Sequence, residues 1–214
     1  MNVCVGEGMQ EIFVSNICSW IPPEEDLSAA PKLEFTDAIF RRRLSQLSKM
    51  TIQVVHDFFE ARIDREIKIV FSSKRGEIAR EFKINKTLIQ DTEILPASFS
   101  LSTFNAPIAL ATISENLRGG YTAIYPSRGI FSDAILAAAS PILCRREKQI
   151  AFVYAEEFVP DFYEEIFCEK DSPLAFAALL SASSQNSNLG VQFNLEDLPK
   201  TPQEFLNYYG KRTN

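Results

Sequence analysis

The stretch that decides the fold runs from Arg118 to Ala139 and reads RGGYTAIYPSRGIFSDAILAAA. A glycine pair opens a short run of β-type residues, Tyr121 to Tyr125. A tight Pro-Ser-Arg-Gly turn follows, and then an alanine-rich helix. Strand, sharp turn and helix is an arrangement that presents one side chain at the positive end of a helix, beside unpaired backbone N–H groups. A cysteine or serine placed there becomes a better nucleophile. This turn offers Ser127 and Arg128.

Outward from the turn, the same alternation continues. The runs 11–20 (EIFVSNICSW), 66–73 (EIKIVFSS) and 148–157 (KQIAFVYAEE) read as strands. Thr36 or Asp37 caps one long helix reaching about Arg62, with Leu44, Leu47, Thr51, Val54, Val55 and Phe58 on one face. EIAREFKINKTLIQD reads as a second helix. A third starts near Ser102 or Thr103, tolerates Pro107 in its first turn and ends at Gly119-Gly120. Residues 173–183 (PLAFAALLSAS) are apolar enough for a central strand or a buried helix, and periodicity alone does not separate the two. TPQEFLNYYG forms a terminal helix with Thr201 as cap and Pro202 in its first position. Strands alternating with helices predict an α/β layered sheet with helices on both faces. We read residues 1–214 as a single domain, with 171–214 as a less certain C-terminal extension.

Composition narrows the function. With 46% hydrophobic residues the chain sustains a substantial core, and no stretch of consecutive apolar residues approaches the length of a membrane span, about 18 residues. The N-terminus lacks the pattern of a signal peptide, which points to the cytoplasm. Cys4, Cys18, Cys144 and Cys168 form no CxxC pair, so neither a metal site nor a cofactor is expected. A net charge of −6 argues against nucleic acid as a partner. The local basic clusters Arg41-Arg42-Arg43 and Arg145-Arg146 read first as solvated helix faces or ends, and second as contacts for an acidic partner.

In its order of segments the chain resembles the amino-terminal half of the β-ketoacyl synthases, enzymes of the thiolase-like fold. FRRRLSQLSKMTIQVVHDFF resembles their early helix. LPASFSLSTFNAPIALATISENLRGG resembles the loop and helix that in the family read roughly Ser-Pro-Phe, then Asn, then Leu-Arg-Gly. YTAIYPSRGIFSDAILAAASPIL resembles the strand, nucleophile elbow and alanine-rich helix, and IAFVYAEEFVPDFYEE the next strand. The resemblance covers most of residues 12–165.

Its departures are informative. Counted without gaps from Arg118-Gly119, the family's catalytic cysteine falls on Arg128, whose guanidinium offers no nucleophilic lone pair. The family's catalytic histidines, or His and Asn, lie in a carboxy-terminal half, and this chain is about half the family's length. Its one histidine, His56, precedes the elbow and sits in a helix. No general base for condensation is in view.

The resemblance therefore implies a chain-length-factor-like subunit of the kind found in aryl-polyene-type biosynthesis. Such a subunit has no catalytic residues or cofactor of its own. It pairs with a full-length ketosynthase as a heterodimer and meets the acyl carrier protein indirectly. The resemblance further implies acyl-tunnel roles for Phe99, Leu101, Phe104 and Asn105, and a dimer interface at Tyr121, Ala123, Ile124 and Tyr125. Plain core packing of the phenylalanines is the alternative. For Ser127 the competing readings are a nucleophile and an N-cap, the cap being favoured. A serine- or cysteine-dependent acyl-transfer or decarboxylase enzyme, and a homodimeric interaction module, remain as rival functions.

Overall fold

The computed structural model describes residues 11–60, 62, 64–92, 96–159, 161–163, 172–182, 190–193, 195 and 197–211. Cys4 and Cys168 lie outside them. The elements in chain order are β1 (Phe13–Trp20), α1 (Ala38–Arg41), α2 (Gln46–Glu60), β2 (Ile69–Ser72), α3 (Ile78–Asp91), α4 (Pro96–Ser100) and α5 (Ala106–Ser114). Then come β3 (Tyr121–Ile124), α6 (Phe131–Leu143), β4 (Gln149–Glu156), β5 (Leu174–Ser181), β6 (Val191–Gln192) and α7 (Pro202–Phe205).

The strands form one mixed sheet in the order β3-β2-β4-β5-β1-β6. β3, β2 and β4 are parallel, while β5 runs antiparallel to both β4 and β1. Within the apolar run 173–183, Leu174–Ser181 is thus a strand in the sheet interior, buried along its whole length. A strand covered on both faces needs no polar alternation, which is why its sequence did not separate strand from helix.

Alternation within the strands builds two cores. In β4, Ala151, Val153 and Ala155 face α2 and α5, together with Ala175, Ala177 and Leu179 of β5. Ile150, Phe152 and Tyr154 face the opposite way, with Phe131, Ala134, Ile135 and Ala138 of α6 and Phe205 of α7. Small residues on β5 and α6 let helix and sheet approach closely, and aromatic rings fill the second core. Phe176 stacks on Phe205 with centroids 4.8 Å apart, and Phe131 meets Tyr154 edge-on at 4.9 Å. The helices lie on both faces, as the alternation of elements predicted.

Three local readings are corrected. The helix expected from residue 37 to 62 is two helices. Asp37 caps only the short α1, its carboxylate accepting the N–H groups of Ile39 and Phe40. The chain then restarts at Ser45, whose hydroxyl accepts the Ser48 N–H at 2.9 Å, an N-cap of its own. The helix expected to run from residue 102 or 103 to the glycine pair is also shorter. α5 spans Ala106–Ser114, with α4 preceding it. It ends because Asn116 takes a left-handed φ of 51°, and the N–H groups of Asn116 and Leu117 close back onto Ile113 and Thr112. Gly119 serves the sheet instead: a Cβ there would collide with the backbone of Glu66 and Ile67. Third, Ser127 is not the N-cap of α6. That position is Ile130, and it supplies no side-chain cap.

The terminal helix has its expected cap, Thr201 accepting the Glu204 N–H at 3.1 Å. It continues as a wider turn over Leu206–Gly210. Arg145, with φ 54°, and Arg146 close the C-terminus of α6, where cations meet the negative end of the helix.

Candidate functional site at the elbow

β2, β3 and β4 are parallel, so their C-terminal ends lie along one edge of the sheet, the edge at which open α/β sheets gather ligands. Three loops meet there: Ser73–Glu77 after β2, Tyr125–Ile130 after β3, and Glu156–Glu157 at the end of β4.

The elbow itself is a single 3-10 turn, Ser127–Gly129, between β3 and α6. Arg128 holds φ 54° and ψ 20° within it, and Gly129 follows at φ 69°. Two successive left-handed residues turn the chain sharply enough to start α6 directly. A non-glycine residue in this region carries strain, and such strain gathers at functional positions. The aliphatic stem of Lys74 lies over Gly129, leaving little room for a Cβ there. Ser127 and Arg128 are both exposed.

Beneath the loops lies a buried acidic network that our reading of the sequence missed. Glu156 accepts the Lys74 N–H, the Tyr154 hydroxyl at 3.1 Å and the Ser73 hydroxyl at 3.3 Å, with the Arg75 guanidinium 4.0 Å away. Glu77 takes the hydroxyls of Ser45 and Ser48, each at 2.6 Å, and Nε of Arg80 at 2.8 Å. Glu157 accepts the Ala79 N–H at 2.9 Å and the Leu47 N–H at 3.4 Å. One carboxyl group thereby joins the first turns of α2 and α3 to the end of β4. Burial pushes Glu157 up to about 8; the Glu77 charge adds to this, the two N–H bonds oppose it, and Glu156 raises it further. The available signal was an apolar strand ending in a glutamate pair, together with SSKRGE after β2.

The residues marked from the resemblance divide between the two faces of the sheet. Phe104 is half-buried on the α2–α5 side, packed against the first core. Its ring lies 6.1 Å from Phe71 and 6.3 Å from Tyr125 and rests on Gly76. Asn105 donates from Nδ2 to the Tyr121 hydroxyl at 3.1 Å. Leu101 is half-buried, and Phe99 is 60% exposed on α4. Phe99 is therefore not a core residue.

β3 is an edge strand. The Gly120 carbonyl accepts the Ile69 N–H, and Ser72 Oγ reaches the Ile124 carbonyl at 2.9 Å. In a parallel ladder this parity turns the N–H and C=O groups of Tyr121 and Ala123 away from β2, to the open side. His56 lies elsewhere: its Nδ1 is 3.0 Å from Glu115 and its ring stacks on Phe35 at 3.6 Å. It sits roughly 13 Å along α2 from Leu47, which touches the acidic network.

On the α6 side the elbow borders a cleft of about 590 Å³, bounded by Lys74, Arg128–Phe131, Tyr154, Glu156, Ser172, Leu174 and Lys200–Gln203. Among the described residues, neither cysteine nor histidine lines it. Among the described residues no cluster of three or more His, Cys, Asp or Glu is arranged to hold a metal ion, and no helix is long and apolar enough to cross a membrane.

The family model "Beta-ketoacyl synthase, N-terminal domain" matches residues 19–205. No curated protein matches. Among solved structures, a ketosynthase (ApeO) in complex with its chain length factor (ApeC) from Xenorhabdus doucetiae is similar, with a TM-score of 0.73 at 20% identity over 95% of this chain and 92% of that one. A β-ketoacyl synthase from Burkholderia phymatum STM815 gives 0.52 at 12% identity over 72% of this chain and 45% of its own. A type II polyketide synthase acyl-carrier protein in complex with its ketosynthase bound to the hexaketide (AntDE:AntF) gives 0.59 at 11% identity, over 81% and 64%. The chain thus spans about half the length of the Burkholderia synthase. These structures share the overall fold, and the chain belongs to the β-ketoacyl synthase, N-terminal domain family.

Proposed function

We propose that this protein is a non-catalytic, chain-length-factor-like partner of a full-length ketosynthase. It shapes the acyl tunnel at a heterodimer interface in cytoplasmic, aryl-polyene-type polyketide or fatty-acid-type biosynthesis, and meets the acyl carrier protein only through that partner. The observation that carries the reading is Arg128, a guanidinium in a strained left-handed conformation at the elbow, where the resemblance puts a nucleophile. His56, the single histidine, is engaged with Glu115 and Phe35, well away from that edge. The matched chain of the Xenorhabdus complex also has nearly this chain's length, which favours one ketosynthase-like half-fold acting as a unit.

The reading is tested by turnover. Purified chain incubated with acyl- and malonyl-carrier protein is expected to give no condensation product. Arg128→Cys is expected to stay inactive as well, because restoring a thiol restores no base. Turnover by either protein, free of ketosynthase, would overturn it. A covalent acyl adduct on Ser127 by mass spectrometry would favour the serine-dependent enzyme instead.

The tunnel role separates Phe99 from Phe104. Phe99→Ala removes an exposed ring and is expected to leave the melting temperature within about 2 °C, since surface changes stay within about ±0.5 kcal/mol. Phe104→Ala removes a half-buried ring and is expected to cost about 2 kcal/mol, less than the ~3–5 of a fully buried phenylalanine. In the intact complex, longer acyl products from Phe99→Ala support tunnel capping, and an unchanged product distribution from both variants removes these residues from it.

A further inference from the structure

α3 is held to the fold mainly at one end. Of its side chains only that of Ile78, the first, is buried, and Leu88 and Ile89 near its far end are 41% and 83% exposed. It packs against α4, and the Phe82 ring meets those of Phe162 and Tyr163 at 5.4 and 5.6 Å. The fastening at its start is polar and buried. Glu77, at the N-cap position, gives α3 no side-chain cap. Its carboxylate takes the hydroxyls of Ser45 and Ser48 and Nε of Arg80, whose Nη2 donates to the Arg43 carbonyl at 3.0 Å. The cap comes from β4 instead: one oxygen of Glu157 accepts the Ala79 N–H, and the other accepts the Leu47 N–H of α2. Glu77 and Glu157 are 0% and 2% exposed.

We propose that this junction is a pH-operated latch: protonated Glu157 holds the start of α3 against α2 and β4, and loss of that proton lets α3 swing out while the sheet stays folded. The three elements differ in what they lose by moving. α2 sets Leu47, Met50, Val54 and Phe58 in the first core, and β4 is buried from Ile150 to Glu156, so neither parts from the sheet without unfolding. α3 gives up one buried side chain. Ionised Glu157 sits dehydrated beside Glu77, which belongs to α3 and moves with it. Release of α3 hydrates the carboxylate and separates the two charges, so the opening is local and not global. Charged groups meet Glu157 from each side. From α3 come Glu77, with Arg80 bonded to it, and Glu81 one turn further on; from β4 comes Glu156; from the loop after β2 comes Arg75, 4.0 Å from Glu156. α2 contributes the Leu47 N–H. Burial first and the Glu77 charge second push Glu157 up to about 8, so the latch is closed below that pH and opens as pH rises through it. The latch belongs to the chain itself, whether or not the chain pairs with a ketosynthase.

Hydrogen–deuterium exchange of the full chain, read by mass spectrometry at pH 6 and pH 8.5 and corrected for the chemical exchange rate, tests the proposal. At pH 8.5, peptides from α3 are expected to exchange at least about tenfold faster in the wild type than in Glu157→Gln, and at pH 6 the two proteins are expected to match. Peptides from α2 and β4 are expected to stay at least about tenfold slower than α3 and, unlike α3, to speed up in dilute urea, the mark of exchange through global unfolding. If the Gln variant does not fold, the wild type decides alone: its corrected α3 rate is expected to rise at least about tenfold from pH 6 to 8.5 and to stay indifferent to dilute urea. Trypsin cleavage at the exposed Lys83 and Lys86, normalised to a peptide substrate, should follow the same rise. Equal α3 exchange in the two folded proteins at pH 8.5, a wild-type α3 rate that does not rise, or α3 exchanging in step with α2 and β4 overturns the proposal. None of these measurements involves a ketosynthase or turnover, so failure of the latch and failure of the partner role are distinguishable.

Discussion

Ala123→Pro is expected to abolish association with a ketosynthase while leaving the chain folded. Ladder parity turns the Ala123 N–H to the open side of β3, so a proline there removes no bond to β2. It does remove a donor from the edge to which a partner strand would add, and it places the pyrrolidine ring in that strand's path. The loss of that bond, together with the steric block, should weaken the complex at least about 100-fold. Thr122→Pro is the control. Its N–H points into the ladder toward Ile69, so it should unfold the β2–β3 edge and lower the melting temperature. Sedimentation with each variant and circular dichroism on the isolated chains check both. An intact complex with Ala123→Pro would move the interface away from β3.

Raising the pH from 5 to 8.5 is expected to destabilise the chain by an amount on the order of 4 kcal/mol, through Glu157. Its folded value of about 8 lies above the ordinary carboxylate value of 4.5. The folded state therefore holds a proton that the unfolded state has lost. That stability is fully present below about pH 4.5 and is lost as pH rises through about 8. Around Glu157 lie Glu77 and Glu156, with Arg80 and Arg75 bound to or near them. Burial also raises Glu81, with Glu77 adding to it, so its contribution has the same sign. Ionised Glu157 would oppose Glu77 at the point where α2 and α3 begin. In melting curves the wild type should lose roughly 10 °C over this range. Glu157→Gln, which keeps a carbonyl acceptor but cannot ionise, should flatten most of the slope. A wild-type melting temperature that holds or rises from pH 5 to 8.5 contradicts this reading of the network.

The layered sheet, its principal strands and the elbow were legible because they rest on local chemistry: apolar runs of strand length, Pro-Ser-Arg-Gly, and alanines at helix spacing. What stayed hidden depends on distant partners. Ser45 as a cap is visible only once the chain is seen to break after Arg43, and Asn116 ended α5 where a glycine pair three residues later looked the better stop. The direction of β5 is set by pairing with β4 and β1, which its own uniform apolar sequence does not encode. Of the site, Arg128 was legible by position. Glu77, Glu156 and Glu157 were not, because charged residues at element ends read as solvated until the fold buries them together. Phe99 and Phe104 look equivalent in sequence and differ only in which the fold turns toward the first core.

The central claim is that this half-length chain works through a catalytic partner and not alone. Its most direct test is sedimentation of the purified chain mixed with a full-length ketosynthase from the same source, followed by a condensation assay on each resolved species. The account predicts a one-to-one complex that carries all of the turnover, with the isolated chain inert. A chain that sediments as a monomer indifferent to the ketosynthase, or that condenses acyl and malonyl units by itself, would contradict it.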